Sequence, residues 1–200
     1  VSIANADDES ISLSAGASGD GGNITIAGAT NLGTTGDVTI SRAETVLFTG
    51  LFNAEKFTQT NTDNQAVLTT FNGALDVETN FSFTGNALTI DVGGPAAVNS
   101  DIGATMTVTN AGKFTLAEFS TLTVGTFLQT DVGANVIGDN ITADLGGITF
   151  AETVTLTSGT ADDTIVFSTT AANQAIAFND TAVSIANADD ESISLSAGAS

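Results

Sequence analysis

Any chemistry in this chain falls to carboxylates and hydroxyls. It has no Cys and no His, which removes thiolate and imidazole nucleophiles, the usual activating bases, and the soft metal ligands. The acids gather in short runs: Asp7-Asp8-Glu9, Asp162-Asp163 and Asp189-Asp190-Glu191. Paired carboxylates can serve as acid and base in glycoside cleavage. Such sites also need aromatic platforms and cationic clamps. The chain has no Trp or Tyr, and its three cations are Arg42, Lys56 and Lys113. The expectation is therefore that this is not an enzyme. Calcium is the better use of these acids, because it takes several oxygens from carboxylates, amides and carbonyls. Asn5 with Asp7, Asp8 and Glu9 would supply them, as would Asp162 and Asp163, or Asp189, Asp190 and Glu191. The ordered Gly-rich nonapeptide that cradles calcium in repeat proteins is absent. Gly19-Asp20-Gly21-Gly22-Asn23 is only a fragment of that flavour. Solvated acidic turns are the alternative reading of all these runs, and no cofactor is required; calcium would be structural.

The charge balance narrows the partners. Twenty-three acidic residues against three basic ones give a net charge of -20. That field repels nucleic acid and anionic membrane surfaces, and it attracts cations. No run approaches the roughly 18 apolar residues of a membrane span. The apolar fraction, 42%, is enough for a core, so the chain is expected to fold.

The elements that would carry these acids are set by repetition. Residues 1–18 read VSIANADDESISLSAGAS, and residues 183–200 read the same letters without one change. The copies begin at Val1 and Val183, so one period covers 1–182. Self-similarity at a fixed long period is the mark of an array. Residues 1–182 are therefore expected to be one complete repeat, and 183–200 the start of the next. A chain that opens without Met inside a strand-like segment fits a window on a longer polymer. The expected partners are further copies of the same repeat in the same chain, with lateral self-association or cell-surface and matrix polymers as additional ones. Lateral bundling would need cations to offset the repulsion.

Within the repeat, polar and apolar residues alternate over three to five positions: Asn23-Ile24-Thr25-Ile26, Asp37-Val38-Thr39-Ile40, Leu75-Asp76-Val77, Phe81-Ser82-Phe83, Leu122-Thr123-Val124 and Val154-Thr155-Leu156, among others. Alternation with a Thr, Val, Ile and Phe bias is the strand signal. Gly, Asn and Asp separate the runs, as at Thr35-Gly36-Asp37, Asn72-Gly73 and Gly138-Asp139-Asn140, and supply turns. No helical period is visible. The fold class is all-β, either a β-solenoid or tandem β-sandwich domains. Short strands, small side chains and internal echoes favour the solenoid. Ala43-Glu44-Thr45-Val46 returns as Ala151-Glu152-Thr153-Val154, and Ala54-Glu55-Lys56-Phe57-Thr58 resembles Ala111-Gly112-Lys113-Phe114-Thr115. These offsets suit coils of about 20 residues, within the range of solenoid repeats. Eight or nine coils would then fill the repeat, advancing about 40 Å at the spacing of paired strands. The Thr-x-Thr runs, such as Thr105-Met106-Thr107 and Thr153-Val154-Thr155, read as ordinary strand exteriors.

Runs such as Gly36-Asp37-Val38-Thr39-Ile40, Asn72-Gly73-Ala74-Leu75-Asp76-Val77, Gly85-Asn86-Ala87-Leu88-Thr89-Ile90 and Gly147-Ile148-Thr149-Phe150-Ala151-Glu152 resemble those of large bacterial surface proteins of the filamentous-haemagglutinin type. The resemblance is one of texture and covers essentially the whole chain. It implies a right-handed parallel β-helix, export across the outer membrane, and an extended extracellular or cell-surface fibre used for adhesion or biofilm matrix. It carries over no functional residue. The alternative function is a calcium-stiffened β-sandwich spacer of a large adhesin.

Overall fold

The computed structural model describes residues 9–17, 20–60, 67–92, 99–157, 164–180, 182–185 and 192–198. These residues form strands, turns and bends and contain no helix. The chain winds as a parallel β-solenoid. Each level contributes strands to three faces, and each face is a ladder of strands from successive levels.

Among the described residues the first face holds eight parallel strands: Asn23–Ile26, Thr45–Phe48, Leu68–Phe71, Ala87–Ile90, Lys113–Leu116, Ala134–Ile137, Val154–Leu156 and Val183–Ile185. The second face stacks Thr30–Asn31, Phe52–Ala54, Leu75–Val77, the beginnings of Ser100–Asn110 and Leu122–Thr130, Ile141–Ala143, Thr164–Thr169 and Ser192–Ser196. The third face stacks Ile11–Ser14, Asp37–Arg42, Lys56–Gln59, Phe81–Gly85, the ends of the same two long strands, Ile148–Phe150 and Ile176–Phe178. Among the described strands the one antiparallel pairing is the small ribbon Gly16–Ala17 with Asp20–Gly21. A β-sandwich is built from antiparallel sheets, so the sandwich alternative does not describe this chain.

Alternation explains why the coil closes. Every second residue of each short strand points inward, and three such strands enclose one apolar column per position. Third-face strands align Ile11, Val38, Phe57, Phe81 and Met106, then Phe127, Ile148 and Ile176. Most of these are completely buried. Phenylalanines stack along the axis: Phe48 lies flat on Phe71 with centroids 4.9 Å apart, and Phe57 on Phe81 at 4.6 Å. Each fully buried side chain of this kind contributes roughly 1.5–3 kcal/mol. Parallel sheets are usually covered on both sides. Here many outer positions carry Thr, Ser and Asn, some of whose side chains bond along the stack, as in Thr109 to Thr130 at 2.9 Å and Thr142 to Ser168 at 3.0 Å.

The corner between the second and third faces is the tightest. One residue, Glu55, separates Phe52–Ala54 from Lys56–Gln59, and at two later levels the strand runs through the corner unbroken. Gly125 sits in that corner, where a Cβ would strike the backbone of Ala104. The backbones of adjacent levels can approach this closely because glycine has no side chain. The coils are not uniform. On the first face Leu68 stacks on Ala87, whereas the step from Val154 to Val183 uses half as much chain again.

Candidate functional site

The acids singled out for calcium fall mostly outside the described residues: Asp7, Asp8, Asp162, Asp163, Asp189, Asp190 and Glu191 all lie there. Glu9 is described and exposed, just before the strand Ile11–Ser14. Among the described residues no group of three acidic side chains is placed to hold a metal ion.

The fold instead brings together acids that lie far apart in sequence. On the outer side of the second face, Asn31, Asn53, Asp76 and Asp101 occupy successive rungs. Asn53 Nδ2 donates to Asp76 Oδ2 at 2.8 Å. Asp101 stands directly beside Asp76, a cross-strand pairing of like charges that costs stability. Partial burial, and then the charges of Asp76, Asp144 and Glu78, raise the Asp101 carboxyl above the ordinary carboxylate range. This face can take up a proton or gather counterions. Sequence reading missed it, although a signal exists: Leu75-Asp76-Val77 and Ser100-Asp101-Ile102 share one inward-outward-inward pattern and stack when aligned by it.

A small polar cleft of about 80 Å³ opens beside Glu118, Phe119, Gly138, Asp139, Asn140, Thr164 and Ile165. Asp139 Oδ1 is already engaged, accepting from Thr121 Oγ1 at 3.2 Å and from the Asn140 amide at 2.6 Å. Buried Glu118 Oε1 has no hydrogen-bond partner among the described residues. The cleft is well below the roughly 300 Å³ of a small-molecule pocket, a size that suits water or an ion.

The most developed polar arrangement is inside the coil. Gln129 occupies an inward third-face position next to Val108 and is fully buried. Its Nε2 donates to Asn110 Oδ1 at 2.9 Å and to the Gly133 carbonyl at 3.1 Å. Its Oε1 accepts from the Ala151 amide at 2.9 Å and from Asn135 Nδ2 at 3.3 Å. Asn135 in turn donates to the Thr153 carbonyl at 3.2 Å. One amide thus ties together three successive levels at the turn from the third face to the first. Gln59 sits in the same column, beside Phe83, and is equally buried. It accepts from Thr69 Oγ1 at 2.8 Å, while its Nε2 has no partner among the described residues. Both glutamines were missed in the sequence, where inward positions were read as apolar. The shared pattern Phe57-Thr58-Gln59 and Phe127-Leu128-Gln129 is the signal that marks them.

No family model, curated protein or solved structure matches this chain.

Proposed function

We propose that the chain is a structural and adhesive segment of a long extracellular fibre or cell-surface protein, built from near-identical copies of residues 1–182 that stack end to end. The observation that carries this is a match of phase. Seven steps on the first face run from Ile24 to Val183. Val183 is the second copy of Val1. The stretch from Val1 to Ile24 is within one residue of the step from Ile24 to Val46, the length of one further step. One period is thus the length of seven paired steps and one more, which supports copies that stack level upon level. Each level hydrogen-bonds its neighbour, so identical copies extend the rod without opening new strand edges. Copies along one rod would also multiply weak contacts to a surface. The bacterial surface is the setting that the resemblance and the acidic exterior favour.

The test is a series of proteins with one, two and three copies. At about 4.8 Å per level, each copy should lengthen a continuous rod by roughly 40 Å in electron micrographs. Retention on polysaccharide-coated surfaces should climb faster than in proportion to copy number. Copies that appear as separate beads, or retention that stays flat, would refute the reading.

A further inference from the structure

The strand of the repeated segment that is described in both copies does not sit in the same place in each. In the first copy, residues 11–14 lie on the third face, with Ile11 against Val38 and Leu13 against Ile40. In the second copy, the identical residues 193–196 lie on the second face, with Ile193 against Ile165 and Leu195 against Phe167. The first copy displays how this strand receives a level above it. The second displays it at an open end, with Ile193 37% and Leu195 55% exposed.

The third-face ladder meanwhile ends at Ile176–Phe178. Ile176 stacks on Ile148, and the Phe178 ring lies flat on Phe150 at 5.5 Å. Both are only half-buried, whereas Ile148 and Phe150 are completely covered. If a second unit follows, its third face begins with the counterparts of Val38 and Ile40. Between Ile176 and Phe178 below and those two residues above, one strand with the pattern apolar-polar-apolar is missing. Ile193-Ser194-Leu195 has that pattern, and its first copy already makes the upper half of the contact. On the second face the next unit's inward residue would be the counterpart of Thr30, above Leu195 before the move and above Phe167 after it, so the choice of face falls to the third-face column.

We propose that the open end formed by Ile176, Phe178, Ile193 and Leu195 is the docking surface for a second copy of the repeat unit. On docking, residues 193–196 leave the second face and become the joint strand of the third. This deepens the array reading and rests on it.

The chain has no Cys, so engineered pairs report cleanly. The test uses this chain and a two-unit protein in which residues 19–200 follow it once more. Stacked positions on adjacent parallel strands lie about 4.8 Å apart, within the span of a disulfide. Val166→Cys with Ser194→Cys should cross-link in the single chain, where those residues are paired. In the two-unit protein Ala177→Cys with Ser194→Cys should cross-link instead. Amide exchange at residues 176–178 should slow at least about tenfold in the two-unit protein, a reading that needs no cysteine. A continuous rod in which positions 166 and 194 still cross-link would overturn the joint while leaving the array intact. Two separate beads would overturn both.

Discussion

Gln59 and Gln129 occupy one inward column and carry the same side chain, yet replacing Gln129 should destabilise the fold whereas replacing Gln59 together with its partner Thr69 should not. Gln129→Leu removes the amide that serves Asn110 Oδ1, the Gly133 carbonyl and the Ala151 N–H. A buried polar group stripped of its partner costs roughly 1–3 kcal/mol. Taking the low end for three such groups, and allowing about 1 kcal/mol for the apolar atoms gained, the variant should lose about 2–3 kcal/mol. Gln59 makes one side-chain bond, to Thr69, and leaves its Nε2 unserved. Gln59→Leu with Thr69→Val replaces both partners by apolar groups of similar shape, a change that is neutral or stabilising, here by up to about 2 kcal/mol. Urea unfolding followed by far-ultraviolet circular dichroism is the assay, since the chain has no Trp or Tyr. The amide of Ala151 adds a local readout: its exchange should accelerate in Gln129→Leu and stay unchanged in the Gln59/Thr69 double variant. Equal losses in the two variants would refute the reasoning, because burial alone, and not the completeness of the hydrogen bonding, would then decide the outcome.

Asp101 predicts a pH dependence. Its carboxyl is raised by burial and then by Asp76, Asp144 and Glu78, so the folded chain holds that proton more tightly than the unfolded one. The folded state therefore loses stability as pH rises from the ordinary carboxylate value through the raised folded one, and the penalty persists at neutral pH. Asp101→Asn should raise the urea midpoint at neutral pH, the gain should vanish on acidification below about pH 3.9, and added salt should shrink it; a midpoint lowered at neutral pH would contradict this. Phe71 lies flat on Phe48 and meets Phe52 edge-on at 5.3 Å. Phe71→Ala should cost about 3–5 kcal/mol, and in a quasi-one-dimensional stack the loss of exchange protection should centre on Thr45–Phe48 and Ala87–Ile90, leaving Val154–Leu156 protected. Uniform loss along the rod would mean that the levels melt as one unit.

The class of fold was legible because alternation is a local property. Asn23-Ile24-Thr25-Ile26 and Val154-Thr155-Leu156 each announce which side is inward, and both lie where that parity puts them. Coil length was not legible. The step from Leu68 to Ala87 is short, that from Val154 to Val183 is long, and the turns absorb the difference. The echoes show both sides of this. Val46 and Val154, from the pair Ala43-Glu44-Thr45-Val46 and Ala151-Glu152-Thr153-Val154, occupy one first-face column, five levels apart. Lys56-Phe57-Thr58 and Lys113-Phe114-Thr115 look just as similar, but one lies on the third face and the other on the first. The Asp76–Asp101 neighbour pair and the Gln129 hub left only shared local patterns in the sequence, because each depends on which levels stack, which the alternation alone does not encode.

The repeated segment carries this to its limit, because one sequence occupies two faces within one chain. Ile-Ser-Leu-Ser fixes a strand and its inward side, and nothing in those four residues fixes the face. The choice falls to the columns above and below, and an apolar column accepts any apolar side chain of fitting size. A solenoid of apolar columns alone would therefore tolerate slips by a face or a level. Its buried polar residues do not. Gln129 finds Asn110, Gly133, Asn135 and Ala151 only at its own level, and Ser100 and Ser120 reach the backbone amides of Leu75 and Val92 only across one particular step. Displacing any of them by one level strands a buried donor or acceptor at a cost of roughly 1–3 kcal/mol. The apolar columns supply the bulk of the stability, and these few inward polar residues set the register in which the levels stack.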